Sequence, residues 1–205
     1  MKIPHLFSHA AMNKRRSVPI GKHMKQHLVT VIRFLVVVSM VLGTFLQTQS
    51  ALAAALPAEI NKQFTPLQID AGGTSRLRIS IFNPNVFPLT NVAFADNLVG
   101  VQPGLFVDTP NGVTNTCGGT ATAVPGSTSV SLSGGAVPAQ VGSNPGQCYI
   151  EINVSSITSG NLINTINVGQ LTANGVDGGV PVVISNTTPA SATITVIAVS
   201  PPYLT

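Results

Sequence analysis

The segment TSRLRISIFNPN, residues 74–85, alternates between apolar and polar side chains. Leu77, Ile79 and Ile81 fall on one face of an extended chain, and two arginines and a serine fall on the other. A period of two over this length is typical of a β-strand that packs one face on a core and leaves the other in water. Pro84 ends the strand, because proline has no N–H to donate to a sheet. The segment therefore predicts a protein built on β-sheets.

Four later segments repeat this pattern: LTNVAFADNL (89–98), QCYIEINVSS (147–156), NLINTINVG (161–169) and ASATITVIAV (190–199). The shorter segments ATAV and TSVSLS are separated by PGS, a turn signal that favours a hairpin. No segment between them has a convincing helical period. Seven or more short strands, broken by Gly, Pro and Asn, predict an all-β domain of the β-sandwich type.

The formal net charge of +4 is distributed very unevenly along the chain. Seven of the ten cations and all four histidines precede residue 34, whereas all six acidic residues follow residue 58. From residue 54 onward three cations oppose six acids, so this part carries a net charge of −3. A basic stripe is the usual mark of a nucleic-acid-binding surface. We therefore expect no nucleic-acid partner.

The basic N-terminal stretch leads into an apolar run and then into small residues, the order found in secretory signal peptides. The apolar run, residues 28–46, follows this basic stretch and is free of charge after Arg33. The sequence ALA predicts cleavage between Ala53 and Ala54, with a cut after Ala55 as an alternative. An uncleaved signal anchor is the rival interpretation, because 19 residues are barely enough to cross a bilayer of about 30 Å. We expect the chain to contact the membrane only through this N-terminal segment, during export.

Four consecutive regions follow from these patterns: a leader with a signal helix (1–53), a linker (54–61), a β-sandwich domain (62–198) and a C-terminal tail (199–205). A mature chain beginning at Ala54 has 152 residues, which is enough for one domain with a real core. We expect the product to be secreted or held at the cell surface.

The only two cysteines, Cys117 and Cys148, both lie in the exported part. A lone pair of cysteines in an oxidising compartment most often forms one disulfide. The alternative is a reactive thiol, which needs a lowered pKa from a nearby base or cation. The chain after residue 54 has no histidine, and its three cations are distant in sequence. These facts favour a structural disulfide.

Six segments between residues 62 and 196, in this order, resemble a bacterial surface-protein repeat domain of unknown function: KQFTPLQIDAGGTSRLRISIFNPN, LTNVAFADNL, TCGGTATAVPGSTSVSLSGG, GQCYIEINV, INTINVGQL and PASATITV. That family consists of immunoglobulin-like domains, usually in tandem, in secreted and cell-surface proteins. The resemblance implies an immunoglobulin-like antiparallel β-sandwich with no catalytic residues, and we expect no cofactor or metal. Cys117 and Cys148 match two positions that occur together in the family pattern, which supports a bond between them. This chain departs from the pattern in having one copy.

A non-enzymatic structural or adhesive module of the bacterial cell envelope or extracellular matrix is the function that we expect, with an extracellular protein or a glycan as partner. One alternative is a carbohydrate-binding or enzyme-accessory module, for which Tyr149 is the best outward aromatic candidate. A second is a pilus-like subunit that donates a strand to its neighbour, for which AEINKQFTP (58–66) is the candidate donor.

The acidic residues suggest two specific kinds of site, a hydrolase active site and a calcium site. Asp96 and Asp108 could form the acid–base pair of a glycoside hydrolase, but Asp96 ends a predicted strand, where an aspartate commonly binds turn amides. Asp70, Asp108 and Asp177 are loop acids of the kind that bind Ca²⁺ in extracellular domains. Turn formation by Asp-Gly is the commoner cause of such residues. We therefore expect neither a hydrolase nor a calcium site.

Lys62 is the only lysine after the leader. Some immunoglobulin-like adhesin domains join a strand lysine covalently to an asparagine with the help of a buried acid. Asn164 and Asn186 lie on later predicted strands, and Glu151 is a conceivable helper, although its place in the alternation points it outward. The simpler expectation is that Lys62 is a solvated lysine.

Overall fold

The computed structural model describes residues 26–37, 54–99 and 104–200. A helix, α1, covers residues 26–37 and belongs to one compact unit, residues 1–51, whereas all the described strands belong to a second, residues 52–205. Among the described residues, no helix combines the length and the apolar character needed to cross a membrane. Ala54 is exposed outside regular structure, and Ala53, its partner at the predicted cleavage site, lies outside the described residues.

The second unit contains thirteen strands in its described part. They are β1 (Glu59–Thr65), β2 (Gln68–Asp70), β3 (Thr74–Asn83), β4 (Leu89–Asn97), β5 (Phe106–Val107), β6 (Thr114–Asn115), β7 (Thr120–Ala123), β8 (Ser129–Val137), β9 (Gly146–Ser155), β10 (Gly160–Ile166), β11 (Thr172–Asp177), β12 (Val180–Ser185) and β13 (Ala190–Ile197). The domain is therefore all-β, as predicted. Strand β1 begins inside the segment 54–61 that the sequence assigns to a linker.

The strands form three sheets around one core. One sheet has the order β1-β3-β9-β5, with β6 also paired to β9; a second has the order β10-β13-β2; and the third has the order β12-β11-β4-β8-β7. All pairs are antiparallel except β2 with β13. This is an antiparallel β-sandwich of the immunoglobulin-like class.

The core is built from the inward-facing residues of the alternating strands. In the register between β3 and β9, Leu77 pairs with Ile152 and Ile79 pairs with Ile150. All four side chains are at most 1 % exposed. Burying an aliphatic side chain of this size contributes about 1.5–3 kcal/mol relative to leaving it in water. The inward face predicted for TSRLRISIFNPN is confirmed.

Two local features fix how the strands meet. The hairpin predicted around PGS is present, since β7 pairs antiparallel with β8. At the start of β9, Gly146 lies against the backbone of the preceding loop, and a Cβ at this position would be 1.8 Å from the carbonyl oxygen of Pro138. Only glycine therefore allows this close approach of two backbones.

Candidate functional site

Three polar side chains meet inside the domain, and each comes from a different sheet. Lys62 lies in the middle of β1, Asp96 near the end of β4, and Asn164 in the middle of β10. The side chains of Lys62 and Asp96 are 0 % exposed, and Asn164 as a whole is 0 % exposed. Burying an ion is costly unless it is paired and hydrogen-bonded, so the contacts among these groups decide what the cluster can do.

The three side chains form a closed ring of hydrogen bonds. Lys62 Nζ donates to Asp96 Oδ2 at 2.5 Å and also donates to Oδ1 of Asn164. Asn164 Nδ2 donates to the other carboxylate oxygen, Asp96 Oδ1, at 2.9 Å, and to the backbone carbonyl of Asn97 at 2.9 Å. The lysine therefore faces the carbonyl side of the amide, and the aspartate bridges the two nitrogens.

The alternation of each strand carries these polar groups inward. On β1, Lys62 lies between two inward apolar residues, Ile60 and Phe64, which are 7 % and 1 % exposed. Asp96 follows inward-facing Phe94 by two positions on β4, and Asn164 lies between Leu162 and Ile166 on β10. Each polar residue thus replaces one apolar side chain of the core.

The surroundings of Lys62 change its protonation. Burial lowers the pKa of the Lys62 ammonium from its usual 10.5, and the charge and hydrogen bond of Asp96 only partly oppose this. Desolvation dominates because the side chain is fully removed from water. Forming the neutral amine, which is the nucleophilic form, therefore costs less free energy than in an exposed lysine.

These positions correct several expectations from the sequence. The prediction that Lys62 is solvated is wrong, because the lysine is buried among core residues. Among the described residues, the side chain of Asp96 pairs with Lys62 and Asn164 rather than with turn amides. Of the two candidate asparagines only Asn164 contacts the lysine; Asn186 bonds instead to the backbone of Leu171 and Asn167 in the β10–β11 loop and of Thr188 in its own loop. Glu151 faces outward, as predicted, so the buried acid is Asp96.

The disulfide predicted between Cys117 and Cys148 is present, with 4.9 Å between the two Cα atoms. Cys148 lies on β9, and Cys117 follows the short strand β6 that pairs with the same β9. The backbone N–H of Thr116 donates to the carbonyl of Tyr149 at 2.9 Å, which holds the two segments side by side. Both cysteines are buried, at 2 % and 4 % exposure.

Asp108 bonds to neighbouring groups of the domain, and Asp70 and Asp177 each end a strand beside a turn. Asp108 accepts a hydrogen bond from the hydroxyl of Thr74 and one from the N–H of Thr109. The backbone carbonyl of Asp70 accepts a bond from Gly73, which closes a turn, and Asp177 pairs with Val180 at the tip of a hairpin. Within residues 26–37, 54–99 and 104–200, no three His, Cys, Asp or Glu side chains cluster so that they could hold a metal ion.

The outward face of β3 and β9 carries a small charged cluster. Glu151 accepts a hydrogen bond from Arg76 Nε at 2.8 Å and lies 3.6 Å from Arg78 Nη1. The guanidinium of Arg78 stacks over the ring of Tyr149, 3.7 Å from its centroid. A cation in this position occupies the aromatic face that a sugar would need.

The strand order, the single core and the disulfide together define an immunoglobulin-like β-sandwich domain. Residues 57–196 match the model of DUF7933, a domain of unknown function, and the chain belongs to this family. The match includes all thirteen strands except the last residue of β13. No curated protein matches the chain in sequence.

Several solved structures are similar to this chain in architecture. The major pilin subunit of Bacillus cereus is 13% identical over 69% of this chain and 40% of its own, with a TM-score of 0.39. BslA, a bacterial hydrophobin, is 14% identical over 73% of this chain and 100% of its own, with a TM-score of 0.42. A cohesin module of a family 33 glycoside hydrolase from Clostridium perfringens is 10% identical over 70% of this chain and 97% of its own, with a TM-score of 0.37. This chain spans about two fifths of the pilin, and the fold assignment rests on its own strand order.

Proposed function

We propose that the chain is a non-enzymatic structural or adhesive β-sandwich module that works outside the cytoplasm, in the bacterial envelope or the extracellular matrix. The buried disulfide between Cys117 and Cys148 is the observation that carries this proposal. Disulfides persist in oxidising compartments and are rare in the reducing cytosol. The order of residues 1–53, basic and then apolar, supports this proposal because it is the order found in secretory signal peptides.

The contacts of the ionisable side chains support a structural role. Asp96 is paired with Lys62 in the core, Glu151 with Arg76 on the surface, and Asp108 with the hydroxyl of Thr74. Each of these acids binds a neighbouring part of its own domain. Such contacts hold strands together and leave the acids unsuited to exchange protons with an external substrate.

The two alternative functions have less support. A glycan-binding module needs an accessible aromatic platform, and the ring of Tyr149 is stacked under Arg78. A strand-donating subunit needs its N-terminal strand to be free for a neighbour. Here β1 pairs with β3 of its own chain along its full length of seven residues.

Cell fractionation with N-terminal sequencing tests the proposal directly. We expect the protein in the envelope or extracellular fraction, beginning at Ala54. An intact Met1 in the cytoplasm would overturn the proposal. A glycan array gives a second test: strong binding that is lost in Tyr149→Ala would favour the carbohydrate-binding alternative over the structural one.

A further inference from the structure

We propose that Lys62 and Asn164 become joined by an intramolecular isopeptide bond, and that Asp96 transfers the protons which the reaction requires. The bond would link β1 to β10, two strands of different sheets whose reacting residues lie 102 positions apart in the chain. This inference rests on the cluster itself and does not depend on where the protein is located.

The side-chain amide of Asn164 is oriented for attack by the lysine. Lys62 Nζ contacts the carbonyl oxygen of Asn164, so the amine lies beside the carbon that it would attack. The amide nitrogen, which would leave, points away from the lysine toward Asp96 Oδ1 at 2.9 Å. Nucleophile, electrophile and leaving group are therefore already separated in the way that an acyl transfer needs.

Asp96 bridges the lysine nitrogen and the amide nitrogen of Asn164. One carboxylate oxygen lies 2.5 Å from the lysine nitrogen, and the other lies 2.9 Å from the amide nitrogen. The same group can therefore accept a proton from the nucleophile and deliver one to the leaving group. A purely structural partner for Lys62 would not need contact with the amide nitrogen as well.

The burial of the cluster also favours the reaction. A neutral amine is required for attack, and burial makes the charged form of Lys62 less favourable. The inward neighbours Ile60 and Phe64 on β1 are themselves buried. Exclusion of water also prevents hydrolysis of the amide from competing with attack by the amine.

The reaction balances without any additional reagent. The Lys62 ammonium gives one proton to the Asp96 carboxylate, and the lone pair of the resulting amine forms a bond to Cγ of Asn164. The carbonyl electron pair moves to Oδ1. Asp96 delivers that proton to Nδ2 and then accepts a proton from the attacking nitrogen; the C–Nδ2 bond breaks as the carbonyl reforms, and the ammonia that leaves takes the remaining proton from Asp96. The products are a secondary amide and ammonium, with no change of oxidation state.

Intact mass spectrometry of the full chain, denatured and reduced, tests the proposal. We expect the folded protein to lose about 17 Da, the mass of ammonia, relative to its sequence. Proteolysis and tandem mass spectrometry should find a branched peptide that joins Lys62 to Asn164. An unshifted mass in the folded wild-type protein would overturn the proposal, whether or not any variant folds.

Variants separate this bond from other losses of ammonia. Asp96→Asn keeps the size of the side chain but cannot accept the proton, so we expect the unshifted mass. Asn164→Ala removes the electrophile and should also give the unshifted mass. Glu151→Gln is the matched control, because this acid lies on the outward face, and it should retain the loss.

Asn-Gly sequences can also lose ammonia by forming a succinimide, and the chain contains Asn111-Gly112 and Asn174-Gly175. A loss that persists in Asn164→Ala, or that maps to an Asn-Gly peptide without a branch to Lys62, would refute the isopeptide bond. A loss that disappears in both Asp96→Asn and Asn164→Ala, with the branched peptide present in wild type, would support it.

Discussion

Reduction of the Cys117–Cys148 disulfide should destabilise the domain by an amount that follows from the loop that it closes. The two cysteines are 31 positions apart. Restricting a loop of this length in the unfolded chain contributes about 3.7 kcal/mol by the chain-entropy estimate. A domain of about 150 residues unfolds with an entropy of about 0.3 kcal/mol/K, so the loss corresponds to a fall in Tm of about 12 °C.

Differential scanning calorimetry of the oxidised and fully reduced wild-type protein measures this fall without any mutation. Because both cysteines are buried, thiol titration under denaturing conditions should confirm that reduction is complete. The double variant Cys117→Ala with Cys148→Ala is the control, and its Tm should not respond to reductant. A reduced protein that melts within about 2 °C of the oxidised one would refute the loop-closure reasoning.

Two further predictions concern packing. Ile152→Ala should lower the free energy of unfolding by about 2–5 kcal/mol, because the Ile152 side chain is 0 % exposed. Ile163 on β10 is 53 % exposed, so Ile163→Ala should change the free energy of unfolding by no more than about 0.5 kcal/mol. Similar effects in a denaturant titration would contradict the inward and outward assignment. Gly146→Ala should cost about 2 kcal/mol or more, because its Cβ would meet the backbone oxygen of Pro138 at 1.8 Å. An unchanged denaturation midpoint would show that the two backbones separate easily.

The alternating strands were predictable because their signal is local. Leu77 and Ile79 on one strand, and Ile150 and Ile152 on another, repeat with a period of two that does not depend on the partner strand. All four lie in the core, and the pairing of β7 with β8 follows from a short turn. The class of fold was therefore accessible from patterns that span fewer than about ten residues.

The buried cluster was not predictable in the same way. Lys62 lies in the polar run Asn61 to Gln63, which is typical of a solvent-exposed segment. The alternation that begins at Ile60 and continues to Phe64 nevertheless places Lys62 on the inward face of the strand. Its partners are 34 and 102 positions away, on strands of two other sheets. Only the way in which the sheets pack brings them together, and that information is not carried by any local period. The comparison with lysine–asparagine bonds did name Lys62 and Asn164, but it proposed Glu151 rather than Asp96 as the acid and expected the lysine to be solvated.

The two covalent links would act in different circumstances, because one is nested within the other. The disulfide joins positions 117 and 148, which both lie between Lys62 and Asn164. With the isopeptide bond formed, tension applied to the two ends of the domain would pass from β1 to β10 and bypass the chain between Lys62 and Asn164, which are 102 positions apart and would otherwise be separated by about 350 Å when extended. The disulfide then bears no load and would stabilise the domain against thermal unfolding and proteolysis.

The strands after Asn164 remain outside the loop that the isopeptide bond closes. Because β13 pairs with β10, force on the C-terminal end acts first on that pairing. Once formed, the isopeptide bond would therefore protect the strands between Lys62 and Asn164 and would leave the last strands as the mechanically weaker part.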